Sequence, residues 1–125
     1  MLLVDTYLDK STINGIGLFA KQTIPKGTVI WKFHHRFDIQ VHKDNLPFIS
    51  PDIVKFIDTY AYVQNRVCHI CLDNARFMNH SSTPNTSDID GNTVANKDIS
   101  ANEEITCNYY EIDDEHEELD KYLKK

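Results

Sequence analysis

The chain of 125 residues has no apolar run near the ~20 residues needed for a membrane-spanning helix, so no membrane partner is expected. The opening Met1-Leu-Leu-Val-Asp5 lacks both a basic flank and a long apolar stretch, so no signal peptide is read and an intracellular, cytoplasmic protein is expected. Without secretion, the glycosylation patterns at Asn79-His80-Ser81 and Asn85-Thr86-Ser87 carry no meaning. Cysteine is scarce and odd in number, with Cys68, Cys71 and Cys107 alone. That excludes a disulfide framework and makes free thiols the expectation. A basic surplus is also missing. The 13 lysines and arginines face 19 acids, for a net charge of −6, which argues against a nucleic-acid backbone as a direct partner. No repeat or low-complexity linker is present.

What remains fits one soluble domain. Hydrophobic content of 41% and charged content of 26% are ordinary for a globular protein, and the length suits one core rather than two. The acidity is uneven. Residues 111–125 hold seven acids and three lysines, so most of the negative excess sits in the tail, where a basic partner would be attracted.

Many short strands joined by tight turns predict a mostly-β fold. Strands are expected at 2–8, 18–20, 28–33, 61–63, 67–72, 93–95 and 104–110. Asn14-Gly15-Ile16-Gly17 reads as a turn with two residues free to take positive φ. Pro25-Lys26-Gly27, Asp90-Gly91 and Ala101-Asn102 also read as turns. Residues 34–46 read as polar and irregular. Ser50-Pro51-Asp52 is a helix start, with Ile53, Phe56, Ile57 and Tyr60 on one apolar face. From Asp113 the spacing of Ile112, His116, Leu119 and Leu123 predicts a second helix.

The densest polar stretch is Arg76-Phe77-Met78-Asn79-His80-Ser81-Ser82-Thr83-Pro84-Asn85. Its donors and acceptors must be satisfied against something, and Phe77 and Met78 tie them to an apolar interior. It stands between Gly15-Ile16-Gly17-Leu18-Phe19-Ala20, with Ile24-Pro25-Lys26-Gly27, and Glu103-Glu104-Ile105-Thr106 followed by Tyr109. A lone Gly-x-Gly is weak evidence, but the ordered triple is specific. Together these stretches resemble the SET-domain family of S-adenosylmethionine-dependent protein lysine methyltransferases. The likeness is closest to short stand-alone members known from bacteria and viruses. It implies a SET domain over 1–110, β-clip-like, with several small sheets, a C-terminal pseudoknot, one short internal helix and a C-terminal helix. The acidic helical tail, 111–125, is expected to pack on or near the site.

The same resemblance implies the site. S-adenosyl-L-methionine would lie against Gly15, Ile16, Gly17, Arg76, Asn79 and His80. Tyr109 would be the catalytic tyrosine, and Tyr60 and Tyr62 would line the channel for the substrate lysine. The chemistry is consistent with these residue types. A free lysine, with a pKa near about 10.4, is charged at neutral pH, and an apolar channel beside a sulfonium disfavours the ammonium. The implied partner is a basic protein substrate and the implied assembly a monomer or homodimer. A viral or effector origin would place the protein in a host nucleus. The alternative is a catalytically inactive SET-fold module that binds a basic protein or peptide.

Other chemistries are weaker. Ser81, His80 and Asp73 make a triad only on paper, because adjacent Ser and His do not readily form the needed hydrogen bond and no nucleophile elbow is present. Many relatives carry a zinc-binding Cys at the position of Ser82, and none stands here. Alternation along a strand would send Cys68 and Cys71 to opposite faces, so no metal site is expected. Cys107 occupies a position where several relatives place Phe or Tyr, which leaves the number of methyl groups added open.

Overall fold

The computed structural model describes residues 1–114. Within them ten short strands and two α-helices form three small sheets. The strands are β1 (Thr6–Lys10), β2 (Ile16–Ala20), β3 (Val29–Trp31), β4 (Ile39–His42), β5 (Tyr62–Gln64), β6 (Val67–Ile70), β7 (Asn79–His80), β8 (Thr86–Ile89), β9 (Asn92–Ala95) and β10 (Glu104–Cys107). The helices are α1 (Pro51–Tyr60) and α2 (Tyr109–Ile112). The first sheet has the order β1-β2-β10-β7, the second β3-β9-β8 and the third β4-β6-β5. Among the described residues no helix is long and apolar enough to cross a membrane.

Turn chemistry explains the short elements. Asn65 and Arg66 take φ of 52° and 63° between β5 and β6, and Asp90 and Gly91 take 52° and 80° between β8 and β9. Two successive residues with positive φ match the twist of a tight hairpin. Gly15 takes φ of 48°, as its place in a turn requires. Gly17 is different. It belongs to β2 and needs no left-handed backbone, so the expected pair of positive-φ glycines is only one.

The main core gathers Leu18, Ile30, Ile99 and Ile105, all fully buried, around β2 and β10. A smaller cluster of Ile57, Val63, Cys68 and Ile70 lies under α1 and the third sheet. Several expectations need correction. Residues 34–46 contain β4, which pairs antiparallel with β6, followed by a 3-10 helix at Lys43–Phe48. Three of the four β4 residues are exposed, so this edge strand carries too little apolar signal to read. Helix α1 begins where expected, but its apolar face is largely uncovered. Ile57 is buried, whereas Ile53 is 53% and Phe56 45% exposed. The last strand ends at Cys107 rather than at residue 110, and Tyr109 opens the single turn of α2. The helix expected from Asp113 lies almost wholly outside the described residues.

Strand β10 decides the architecture. It runs antiparallel to β2 through Glu104↔Phe19 and Ile105↔Leu18, and parallel to β7 through Thr106↔Asn79 and Cys107↔His80. Asn85, buried at 5% exposure, holds it from the side. Its Nδ2 donates to the Glu104 carbonyl at 2.8 Å and its Oδ1 accepts from the Thr106 amide at 2.9 Å. This side chain substitutes for a missing neighbour strand. Asn85→Ala should therefore leave two backbone groups unpaired and lower stability by about 2–4 kcal/mol, given ~1–3 kcal/mol for a buried orphan. Chemical denaturation monitored by fluorescence checks this.

Candidate active site

The parallel pair β7–β10 sets Asn79 and His80 beside the strand that leads into Tyr109. On the other side of β10, β2 brings the Asn14–Gly17 loop within reach. The three motifs therefore meet. Asn79 is 7% exposed, and its side-chain amide donates to the Asn14 carbonyl at 3.1 Å, the Ile16 carbonyl at 3.3 Å and Glu104 Oε2 at 3.0 Å. Glu104 also accepts from Ser11 Oγ at 2.7 and 3.0 Å. Gly17 makes room for this carboxylate, since a Cβ there would meet Glu104 Oε2 at 2.6 Å and Cδ at 2.8 Å. Glu104 is thus the fastener of the glycine loop. Sequence reading quoted it within a motif and gave it no role. An acid two residues before a buried strand position, beside a Gly-rich turn, was its only signal.

His80 acts through its ring as well as its strand. Nδ1 accepts from the Tyr109 amide at 3.1 Å, and the ring lies 5.3 Å from Tyr109 and 5.4 Å from Tyr110. Both tyrosines face His80 because they stand on a helical turn rather than on a strand. Tyr109 Oη donates to the Met78 carbonyl at 2.7 Å. Burial pushes its phenol well above the ordinary tyrosine value, with Cys107 and Glu104 adding to the shift.

A cavity of about 320 Å³ opens between α1, β5, β8 and the β10–α2 junction. Tyr60, Tyr62, Arg76 and Tyr109 all line it, as do Asn14 and Met78. Gly15, Ile16, Gly17, Asn79 and His80 do not line it; Asn79 is joined to it through the Asn14 carbonyl and His80 through the Tyr109 amide. Arg76 Nη1 donates to the carbonyls of Leu72 and Asp73 at 2.9 and 3.1 Å, with its guanidinium 4.7 Å from the Phe77 ring centre. Its hydrogen bonds are local and brace the 3-10 helix Asn74–Phe77, and its guanidinium also lies 6.0 Å from the Tyr60 ring centre. A larger open depression of about 510 Å³, around Leu2, Val4, Gln22 and Thr23, touches the motifs only at Ile24 and Pro25 and carries none of the candidate site residues.

Cys68 and Cys71 both line the 320 Å³ cavity, contrary to the alternation argument. The reason is that β6 ends at Ile70, so strand alternation does not govern Cys71. Burial pushes the Cys71 and Cys107 thiols up to about 12, which leaves both neutral and weakly reactive at pH 7. Among the described residues no group of three or more His, Cys, Asp or Glu side chains is placed to hold a metal ion.

The SET domain family matches residues 15–110, which span all three motifs and most of the cavity wall. The chain belongs to the SET-domain family. No curated protein sequence matches it. Solved structures share the SET fold. A Plasmodium falciparum protein described as a candidate histone methyltransferase is 22% identical, with a TM-score of 0.59, covering 86% of this chain and 95% of that one. A humanized Chaetomium thermophilum Polycomb Repressive Complex 2 bound to an inhibitor is 21% identical, with a TM-score of 0.64, covering 85% of this chain and 15% of that one. An autoinhibited ctPRC2 bound to S-adenosylmethionine is 20% identical, with a TM-score of 0.66, covering 97% of this chain and 17% of that one.

Two tests follow from the packing of this SET domain. Gly17→Ala forces Glu104 off Ser11 and Asn79, and overpacking of this kind costs about 1–3 kcal/mol. With Glu104→Ala already present, the two closest clashes are gone and only Ser11 Cβ, at 3.1 Å, must give slightly. The double-mutant cycle should therefore be strongly non-additive in thermal melts. The second test is pH. Burial lowers the pKa of His80 and of His69, so the fold prefers both neutral. The unfolded chain takes up these protons near the ordinary histidine value of about 6.5. Stability should be full above that value and fall as pH drops below it. Denaturant midpoints across that range, compared with His80→Asn, should show a shallower slope in the variant.

Proposed function

We propose that this SET domain transfers a methyl group from S-adenosyl-L-methionine to a lysine side chain of a basic protein. Family membership and histone methyltransferase neighbours support methyltransferase activity in general. The observation that carries the finer reading is Tyr109, whose hydroxyl is fixed by the Met78 carbonyl on the wall of a cavity shared with Tyr60 and Tyr62.

The donor set suits this cofactor. The Asn14 and Ile16 carbonyls and the Glu104 carboxylate converge on one amide, so the edge of the glycine loop is rich in acceptors. Such an edge fits a ligand carrying an ammonium and a sulfonium, and Gly15, Ile16, Gly17, Asn79 and His80 are the residues proposed to hold it. When bound, S-adenosylmethionine supplies an activated methyl group. The chain supplies placement and dryness. Because Tyr109 Oη spends its proton on Met78, the oxygen is left as an acceptor for an amine N–H. Its raised pKa keeps it a phenol, so it orients the nucleophile and does not deprotonate it. Tyr60 and Tyr62 offer aromatic faces to an alkyl chain with a cationic end. The crossing of β10 between β2 and β7 is inferred to be the family's pseudoknot. The tail, 111–125, is proposed to close the site.

Calorimetry should show that the protein binds S-adenosylmethionine and its demethylated product. Asn79→Ala should weaken binding by about 1–3 kcal/mol, as the glycine loop loses the buried amide that holds it in place. Tyr109→Phe should retain cofactor affinity and lose most of its turnover on a basic protein with radiolabelled cofactor. No cofactor heat from folded protein would overturn this reading. Cofactor heat without turnover on any lysine substrate would leave a binding module.

A further inference from the structure

Asp88 carries an inference that rests on the methyltransferase reading and names what meets the substrate's charge. Along β8, alternation sends Thr86 and Asp88 to the cavity. Ser87 turns away and its Oγ accepts from Asn96 Nδ2 at 3.1 Å. Register then sets Asp88 opposite Thr93, and Thr93 pairs with Trp31 on β3. All three line the cavity that also holds Tyr62, Cys107 and Tyr109. One sheet thus presents a cross-strand row of carboxylate, hydroxyl and indole to the candidate active site.

Two features of this row point to an occupant. Trp31 is 6% exposed, and its Nε1 is buried without a hydrogen-bond partner among the described residues. A buried donor of this kind is destabilising unless something brings it an acceptor, as a peptide carbonyl would. Asp88 has one described hydrogen bond, from the Gly91 amide to Oδ1 at 2.9 Å. Among the described residues no lysine or arginine forms an ion pair with it. Its charged surroundings are acidic. Burial, followed by Glu111 and Asp90, pushes its carboxyl upward. Tyr62 faces it from β5, and Glu111 also lines the cavity from α2. The cavity's own cations are Lys43, beyond β4, and Arg76, whose guanidinium is engaged by the Leu72 and Asp73 carbonyls.

We infer that Asp88 receives the charged end of the substrate lysine, pairing its carboxylate with the incoming ammonium on the cavity wall. A carboxylate drawn partly out of water among other acids gains most from a cation. The pairing belongs to the ground state. Methyl transfer needs a neutral amine, so the ion pair raises occupancy and does not speed the chemical step. Losing such a ground-state contact raises KM and kcat together.

Asp88→Asn removes the charge and keeps an oxygen for the Gly91 amide, so the hairpin bond survives. Trp31 is the single tryptophan of the chain and lines the cavity, so its fluorescence reports occupancy. n-Butylammonium chloride is the probe and 1-butanol the neutral control. Wild type should bind butylammonium tighter than butanol, and Asp88→Asn should lose at least about tenfold in butylammonium affinity with butanol binding unchanged. Equal affinity of wild type for the two probes, or no butylammonium binding, would overturn the inference even if the variant failed to fold. Kinetics on a basic protein supply the second arm. A KM raised at least about tenfold with kcat raised alongside it is expected, and a fall in kcat at constant KM would overturn it. If wild type methylates no lysine, the functional proposal fails on its own, and the probe titration still decides Asp88.

Discussion

The fold and its site depend on one strand having both edges occupied. β10 is bonded to β2 on one side and β7 on the other, and the Asn85 side chain completes the ladder where β7 is too short. A strand buried this way has no slack in register, because a slip by one residue would drive Glu104 into the core and expose Ile105. That fixed register sets everything that follows. It aims Glu104 at Gly17 and Asn79, puts His80 beneath the Tyr109 amide, and starts α2 where Tyr109 reaches the Met78 carbonyl.

Much of this was legible beforehand, and for specific reasons. Gly27, Asp90-Gly91 and Asn102 are residues that tolerate positive φ, and each takes it. Ser50-Pro51-Asp52 opens α1 because proline at the first helical position loses no hydrogen bond. The three motifs were readable because each packs several residue types with unusual backbone or hydrogen-bond demands into a short stretch. Their convergence is what those demands look like once satisfied against each other.

The remainder depended on information that no local window holds. β4 is a polar edge strand, identifiable only by its partner β6. Gly17 was read as a turn glycine, yet it is small because of Glu104, a residue remote in the sequence. Cys71 escaped the alternation rule by one residue. Asp88 lies beside the hairpin turn Asp90-Gly91, and its place in the cavity follows from the register of three strands. In each case the local window lacked the partner that decides the backbone or the facing of the side chain.

The parallel pairing of β7 with β10 has a kinetic consequence. A hairpin can form as soon as its turn is made, but parallel neighbours must wait for the whole intervening chain. Here the glycine loop, the Asn79–His80 bridge and the tyrosine come from early, middle and late parts of the chain. They become neighbours only when the final strand threads into place. Loop closure of this length makes that step slow relative to hairpin formation. A nascent chain therefore lacks the complete site until β10 has emerged and paired. Any ligand that spans the assembled segments will hold the last strand in, and will slow its escape as much as the protein holds the ligand.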